Sequence, residues 1–142
     1  GSGTVSLGGT ATGSSVATRA MAGALGITSA GAAAGIGYAT GAGGAVTQAT
    51  SRTTGVTVNK VAGAITLVSA AGSTTPASFT VTNSAVAATD VVLVSQKSGT
   101  DKYDVSVSAV GAGSFEITFN TKSGTTTEQP VFNFAVIKAV AA

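Results

Sequence analysis

Residues 102–121 read KYDVSVSAVGAGSFEITFNT, and apolar and polar side chains alternate on both sides of the central glycines. The alternating apolar residues are Tyr103, Val105 and Val107 before the glycines and Phe115, Ile117 and Phe119 after them. A period of two is typical of a β-strand with one face buried. Because Gly111-Ala112-Gly113 suits a tight turn, this stretch predicts a β-hairpin.

The same alternation, interrupted by turn residues, extends over most of the chain after residue 45. It predicts strands at 45–50, 55–60, 64–69, 78–83, 90–96, 102–110, 114–121 and 130–140. The last of these carries Phe132, Phe134 and Val136 on one face and apolar residues on the other, which is typical of a strand covered on both sides. Short strands joined by hairpin loops predict an all-β fold, an antiparallel β-sandwich, for which a jelly roll is one allowed topology.

The alternation also predicts which side chains form the core of the sandwich. The predicted core residues are Val56, Val58, Ile65, Leu67, Phe79, Val81, Val91, Leu93, Val105, Val107, Phe115, Ile117, Phe119, Phe132, Phe134 and Val136.

Composition changes sharply near residue 45, which divides the chain into a predicted arm, residues 1–44, and a sandwich domain, residues 45–142. The arm holds 13 of the 20 glycines and a single charged residue, Arg19. It has too few large apolar side chains to form a core, so we expect an extended, Gly/Ala-rich arm that gains order from a surface against which it lies. That surface belongs either to a neighbouring subunit or to the chain's own sandwich.

The arm is therefore the predicted anchor to a partner. The side chains expected to fill partner pockets are Val5, Leu7, Val16, Leu25, Ile27 and Ile36, and Tyr38 is expected to make the contact where the arm meets the sandwich.

The residue types argue against an enzyme. The 142 residues include no His, Cys or Trp, which excludes disulfides, thiol chemistry, imidazole acid–base catalysis and zinc sites with Cys or His ligands. Asp101 and Asp104 flank a glycine turn, where solvated aspartate is ordinary, and the segment 95–98 offers the one local Ser–Lys pairing. We therefore expect no catalytic residues, no cofactor and no metal. A net charge of +2, widely scattered, predicts no nucleic-acid partner, and no apolar run predicts a membrane span.

Three stretches resemble tailed-bacteriophage and prophage virion proteins. They are GYATGAGGAVTQATSRTTGVTVNK at residues 37–60, Thr89-Asp90-Val91-Val92, and NFAVIK at residues 133–138. The resemblance implies a structural virion protein, most like a capsid decoration (cement) protein on the outer surface of the head. Its implied partners are the major capsid protein and other copies of itself, in a trimer.

Two alternatives to decoration stay open. One is a head- or tail-fibre or spike module that binds a host surface, and the other is a non-viral adhesin or surface-layer module. A chain of 142 residues has room for one domain and one anchor, which favours decoration over a long fibre.

Overall fold

The sandwich is seen in a computed structural model, which describes residues 37–38 and 40–139. The chain divides into two units between Ile36 and Gly37, and the described residues belong to the second. They contain ten strands and no helix, which confirms the all-β prediction. Accordingly, no helix in this part of the chain is long and apolar enough to cross a membrane.

Most of the strands form two four-stranded sheets. The strands are β1 (Gly43–Thr47), β2 (Val56–Thr57), β3 (Ala62–Thr66), β4 (Ala70–Ala71), β5 (Ala77–Thr82), β6 (Val91–Ser98), β7 (Lys102–Gly111), β8 (Ser114–Ser123), β9 (Thr127–Glu128) and β10 (Val131–Ile137). We call the sheet with the order β1-β3-β10-β6 the first sheet and the sheet with the order β2-β5-β8-β7 the second sheet. The short strands β4 and β9 pair separately.

Strand pairing is antiparallel except at one edge of each sheet. The predicted hairpin is β7–β8, in which Val105 lies opposite Phe119 and Val107 opposite Ile117. Its turn contains Gly113 at a φ of 80°, a conformation that glycine adopts without strain. The pairs β1–β3 and β2–β5 are parallel. Alternation cannot distinguish the two directions, because side chains alternate in the same way in both.

The hydrophobic core lies between the two sheets and consists largely of the predicted residues. Val105 and Val107 are half-buried against it. The prediction was wrong for Val91 and Leu93, which are 49% and 54% exposed, and β6 instead turns Val92 and Val94 inward. The sequence Val91-Val92-Leu93-Val94 is apolar on both faces, so its pattern alone does not say which face is buried. Pairing with β10, which places Val92 opposite Val136 and Val94 opposite Phe134, fixes the orientation.

Composition also placed the start of the sandwich slightly too late. Gly43 and Gly44, which the change in composition assigned to the arm, lie in β1 and pair with Ala62 and Gly63 of β3. Glycine is uncommon within strands, so its presence hid this start from the sequence pattern.

Gly63 lies at a close approach between β3, β1 and the Phe134 ring, and replacing it with alanine is expected to lower the free energy of unfolding by about 1–3 kcal/mol. A Cβ there would lie 2.7 Å from the carbonyl oxygen of Gly44 and 2.8 Å from Cε1 of Phe134, so β1 or the ring must move. Denaturant unfolding of Gly63→Ala measures the loss. Gly43→Ala is the matched control, since its Cβ would meet no atom closer than 3.9 Å. Equal midpoints for the two variants would contradict this account of the packing.

Candidate interaction surface

The outward side of the second sheet is polar and makes hydrogen bonds to itself. The hydroxyls of Ser78 and Thr118 lie 2.7 Å apart, Thr118 donates to Ser108 at 2.8 Å, and Ser108 donates to the Glu116 carboxylate at 2.6 Å. Lys122 and Asp104 form an exposed ion pair on the same two strands, β7 and β8. This side of the sandwich is suited to contact with water.

The outward side of the first sheet has the opposite character. Side chains alternate along each strand, and Ile65, Phe132, Phe134, Val136 and Val92 point into the core. The intervening positions therefore point outward, and we call the following outward residues the apolar face: Gly43, Ala45, Ala62, Ala64, Val91, Leu93, Ala135 and Ile137. Asn133 and Ser95 lie among them, Thr47 and Thr66 continue the outward side at the ends of β1 and β3, and Lys97 is the single charged residue at the outward positions of these four strands.

The strand register makes the apolar face continuous. Leu93 lies opposite Ala135, Ala135 opposite Ala62, and Ala62 opposite Gly43, so one row crosses all four strands. Val91 lies opposite Ile137 in the adjacent row. Small residues of β1 and β3, together with Ala135 of β10, form the floor of an open groove of about 960 Å³, which Leu93, Ser95, Lys97 and Asn133 also line.

Exposed bulky side chains concentrate on this face. In the part of the chain that the structure describes, four large hydrophobic residues are markedly exposed, and three of them lie here: Val91 at 49%, Leu93 at 54% and Ile137 at 51%. A contiguous exposed apolar patch is typical of a surface that binds another protein. The sequence predicted that β10 is covered on both faces. Within the described residues, only its inward face is covered, and its outward face is exposed.

Tyr38, the fourth exposed residue, fixes the point at which the chain enters the sandwich. Its hydroxyl donates a hydrogen bond to the carbonyl of Val136 in β10, and its side chain is 48% exposed. Lys60 Nζ donates to the carbonyl of Gly41 at 3.0 Å. The chain before β1 is therefore held beside the end of the apolar face where Val91 and Ile137 pair.

The other candidate anchor residues cannot be placed by this geometry. Val5, Leu7, Val16, Leu25, Ile27 and Ile36 lie outside the described residues, so their role stays a prediction.

A second candidate, the polar cluster around Arg52, is a structural network. The Arg52 guanidinium donates to the carbonyls of Val68 at 3.0 Å and Glu128 at 2.7 Å and to the Tyr103 hydroxyl at 3.0 Å. The guanidinium also donates to the carbonyls of Ala70 and Ala71 in β4, so together with its bond to Glu128 in β9 it links these two strands. Sequence reasoning missed this cluster, because its members are separated by as many as 76 residues.

The carboxylates of the described residues are likewise held by local donors. Burial raises the pKa of the Glu128 carboxyl, but hydrogen bonds from the Thr100 and Asp101 amides and the Tyr103 hydroxyl outweigh it and leave the pKa below its ordinary value. The Ala87 amide, assisted by Lys138, lowers the pKa of Asp90. Each lowered pKa marks a carboxylate whose charged form the fold stabilises.

Asp101 departs from the expectation of a solvated turn residue. It is buried and accepts a hydrogen bond from the Thr126 amide at 2.9 Å, whereas Asp104 is exposed and paired with Lys122. In the described part of the chain, no buried side-chain nitrogen or oxygen lacks a partner, and no three Asp or Glu side chains come together as metal ligands. The apolar face is therefore the stronger candidate for a functional surface.

No known protein family, curated protein or solved structure matches the chain. The resemblance to virion proteins consequently rests on the sequence motifs.

Proposed function

We propose that the chain is a structural virion protein, a decoration (cement) subunit that binds the outer surface of a phage head and stabilises adjacent major capsid proteins. One observation carries most weight: the outward side of the second sheet is polar, whereas the outward side of the first sheet is apolar. Such a molecule is suited to lie with one side against a protein surface and the other in water. The motifs at residues 37–60 and 133–138 supply the virion context.

The arm, which the structure limits to the residues before β1 (1–42), is the anchor in this proposal. Its small side chains allow close passage along a groove or addition to an exposed strand edge. Ordering a backbone costs about 1–2 kcal/mol per residue, so a long arm needs many hydrogen bonds and apolar contacts along its partner. The side chains that would fill the partner's pockets are Val5, Leu7, Val16, Leu25, Ile27 and Ile36, with Tyr38 at the sandwich end.

Stabilisation then follows from linkage. A subunit that binds the assembled lattice, and not its separate components, shifts the equilibrium towards the assembled state in proportion to its occupancy. The partners in this proposal are the major capsid protein and two further copies of the chain. No catalytic step, cofactor, nucleic acid or membrane takes part.

The number of copies in a particle tests this proposal. We expect purified particles that carry the protein to hold many copies distributed over the head. A stain-calibrated gel, with the major capsid protein as internal standard, gives the ratio, and the density of intact particles gives the position. A few copies confined to the tail or to fibres would contradict decoration and favour the spike module.

A further inference from the structure

We propose that the apolar face of one copy binds the leading segment, residues 1–36, of a neighbouring copy. This inference rests on the proposed function and deepens it, because it names the surface through which copies are linked. It also assigns a role to the exposed side chains of β6 and β10, which contribute nothing to the core.

The shape of the apolar face favours a narrow occupant with protruding side chains. Its floor is built from Gly43, Ala45, Ala62, Ala64 and Ala135, which leave room above the sheet. Two packed sheets lie about 10 Å apart and fill that space with interdigitated side chains from both. Two copies of this floor placed face to face would leave the space unfilled, so a second apolar face is a poor partner.

The leading segment has the complementary composition. It is rich in Ala and Gly, carries one charge at Arg19, and has seven large apolar side chains at intervals: the six candidate anchor residues Val5, Leu7, Val16, Leu25, Ile27 and Ile36, and Met21. Small residues allow its backbone to approach the sheet, and the larger ones can fill the groove. The apolar face itself carries no charge, and Lys97 is the one charged residue beside it, so an uncharged segment can bind there without burying an unpaired charge of its own.

The leading segment ends close to the apolar face, which supports the proposal that it binds such a face on a neighbouring copy. It joins the sandwich at Gly37–Tyr38, where the Tyr38 hydroxyl bonds to β10 at the end of the apolar face. Thirty-six residues can extend to roughly 120 Å at about 3.3 Å per residue, whereas a strand of seven residues spans roughly 23 Å. The segment is therefore long enough to reach a neighbouring sandwich.

Symmetry distinguishes this arrangement from pairing of identical surfaces. A contact between two copies of one surface closes as a dimer, whereas a contact between two different surfaces can close as a ring. The leading segment and the apolar face are different surfaces of the same chain. Their contact can therefore close the trimer that the proposed function includes, with each copy donating one segment and accepting one.

A complementation experiment with two full-length variants tests the inference on free protein, without particles. The donor variant, Leu93→Lys, keeps its leading segment and places a charge on the apolar face. The acceptor variant keeps the face and carries Val5→Ser, Leu7→Ser, Val16→Ser, Leu25→Ser, Ile27→Ser and Ile36→Ser. We expect each variant alone to sediment as a monomer and an equimolar mixture to form a 1:1 complex, while the wild type forms the closed oligomer.

Ser106→Lys is the matched control, because Ser106 is an exposed strand residue on the polar side of the second sheet; it should associate like the wild type. Equal unfolding midpoints at high dilution, where association adds no stability, would establish that all three variants fold. Two monomeric variants that do not combine would overturn the inference, as would a monomeric wild type. Wild-type association of the acceptor variant would also overturn it and indicate pairing of faces. None of these failures would affect the particle copy number, so decoration is tested separately.

Discussion

Phe132→Ala is expected to lower the free energy of unfolding of the sandwich by about 3–5 kcal/mol. The side chain is fully buried, and its ring centroid lies 5.6 Å from those of both Tyr103 and Phe119. Removing the ring leaves a cavity between the two sheets that β10, paired on both sides, cannot collapse to fill. Since domains are stable by only about 5–15 kcal/mol, this loss is large enough to unfold much of the protein near physiological temperature.

Urea unfolding followed by circular dichroism measures this loss, and Leu93→Ala is the control. Leu93 is 54% exposed and contributes to association in our account, so any effect of its truncation should disappear as the protein is diluted. A Phe132→Ala variant within about 1 kcal/mol of the wild type would contradict the core described here. So would a Leu93→Ala loss that persists at high dilution.

Local patterns were sufficient to predict the β7–β8 hairpin. Alternation in both strands and the glycines between them act over about twenty residues, and both signals agree. The pairing of strands that are distant in sequence could not be predicted in this way, because it depends on contacts that a local sequence pattern does not contain. The parallel pairs β1–β3 and β2–β5, and the short β4–β9 pair beside Arg52, were missed for this reason.

The apolar face was only partly predictable. The two-sided apolar pattern of β10 identified Ala135 and Ile137 as apolar residues opposite the core face, but the assignment of Val91 and Leu93 to the core removed two of the bulkiest residues from the outward face. An apolar strand in which both faces qualify for burial takes its orientation from its neighbour, here β10. A strand that is apolar on both faces therefore indicates that both sides of its sheet are suited to burial.

Deleting residues 1–30 should abolish most binding to the head. In our account these residues carry five of the six anchoring side chains, and by linking neighbouring copies they let the subunits bind the head together instead of singly. A loss of even 1.4 kcal/mol weakens binding about tenfold, and removal of a whole anchor should exceed that. The core residues lie between Val56 and Val136, so we expect the truncated sandwich to fold, which its unfolding midpoint would check.

Occupancy on particles is the most direct measurement of the anchoring mechanism. Particles stripped of the protein are incubated with the wild type, the truncated chain or Ser106→Lys, and bound copies are counted before the particles are heated. We predict full occupancy and protection against heat for the wild type and Ser106→Lys, and little of either for the truncated chain. Full occupancy and equal protection by a chain that lacks residues 1–30 would contradict the account and place the anchor elsewhere.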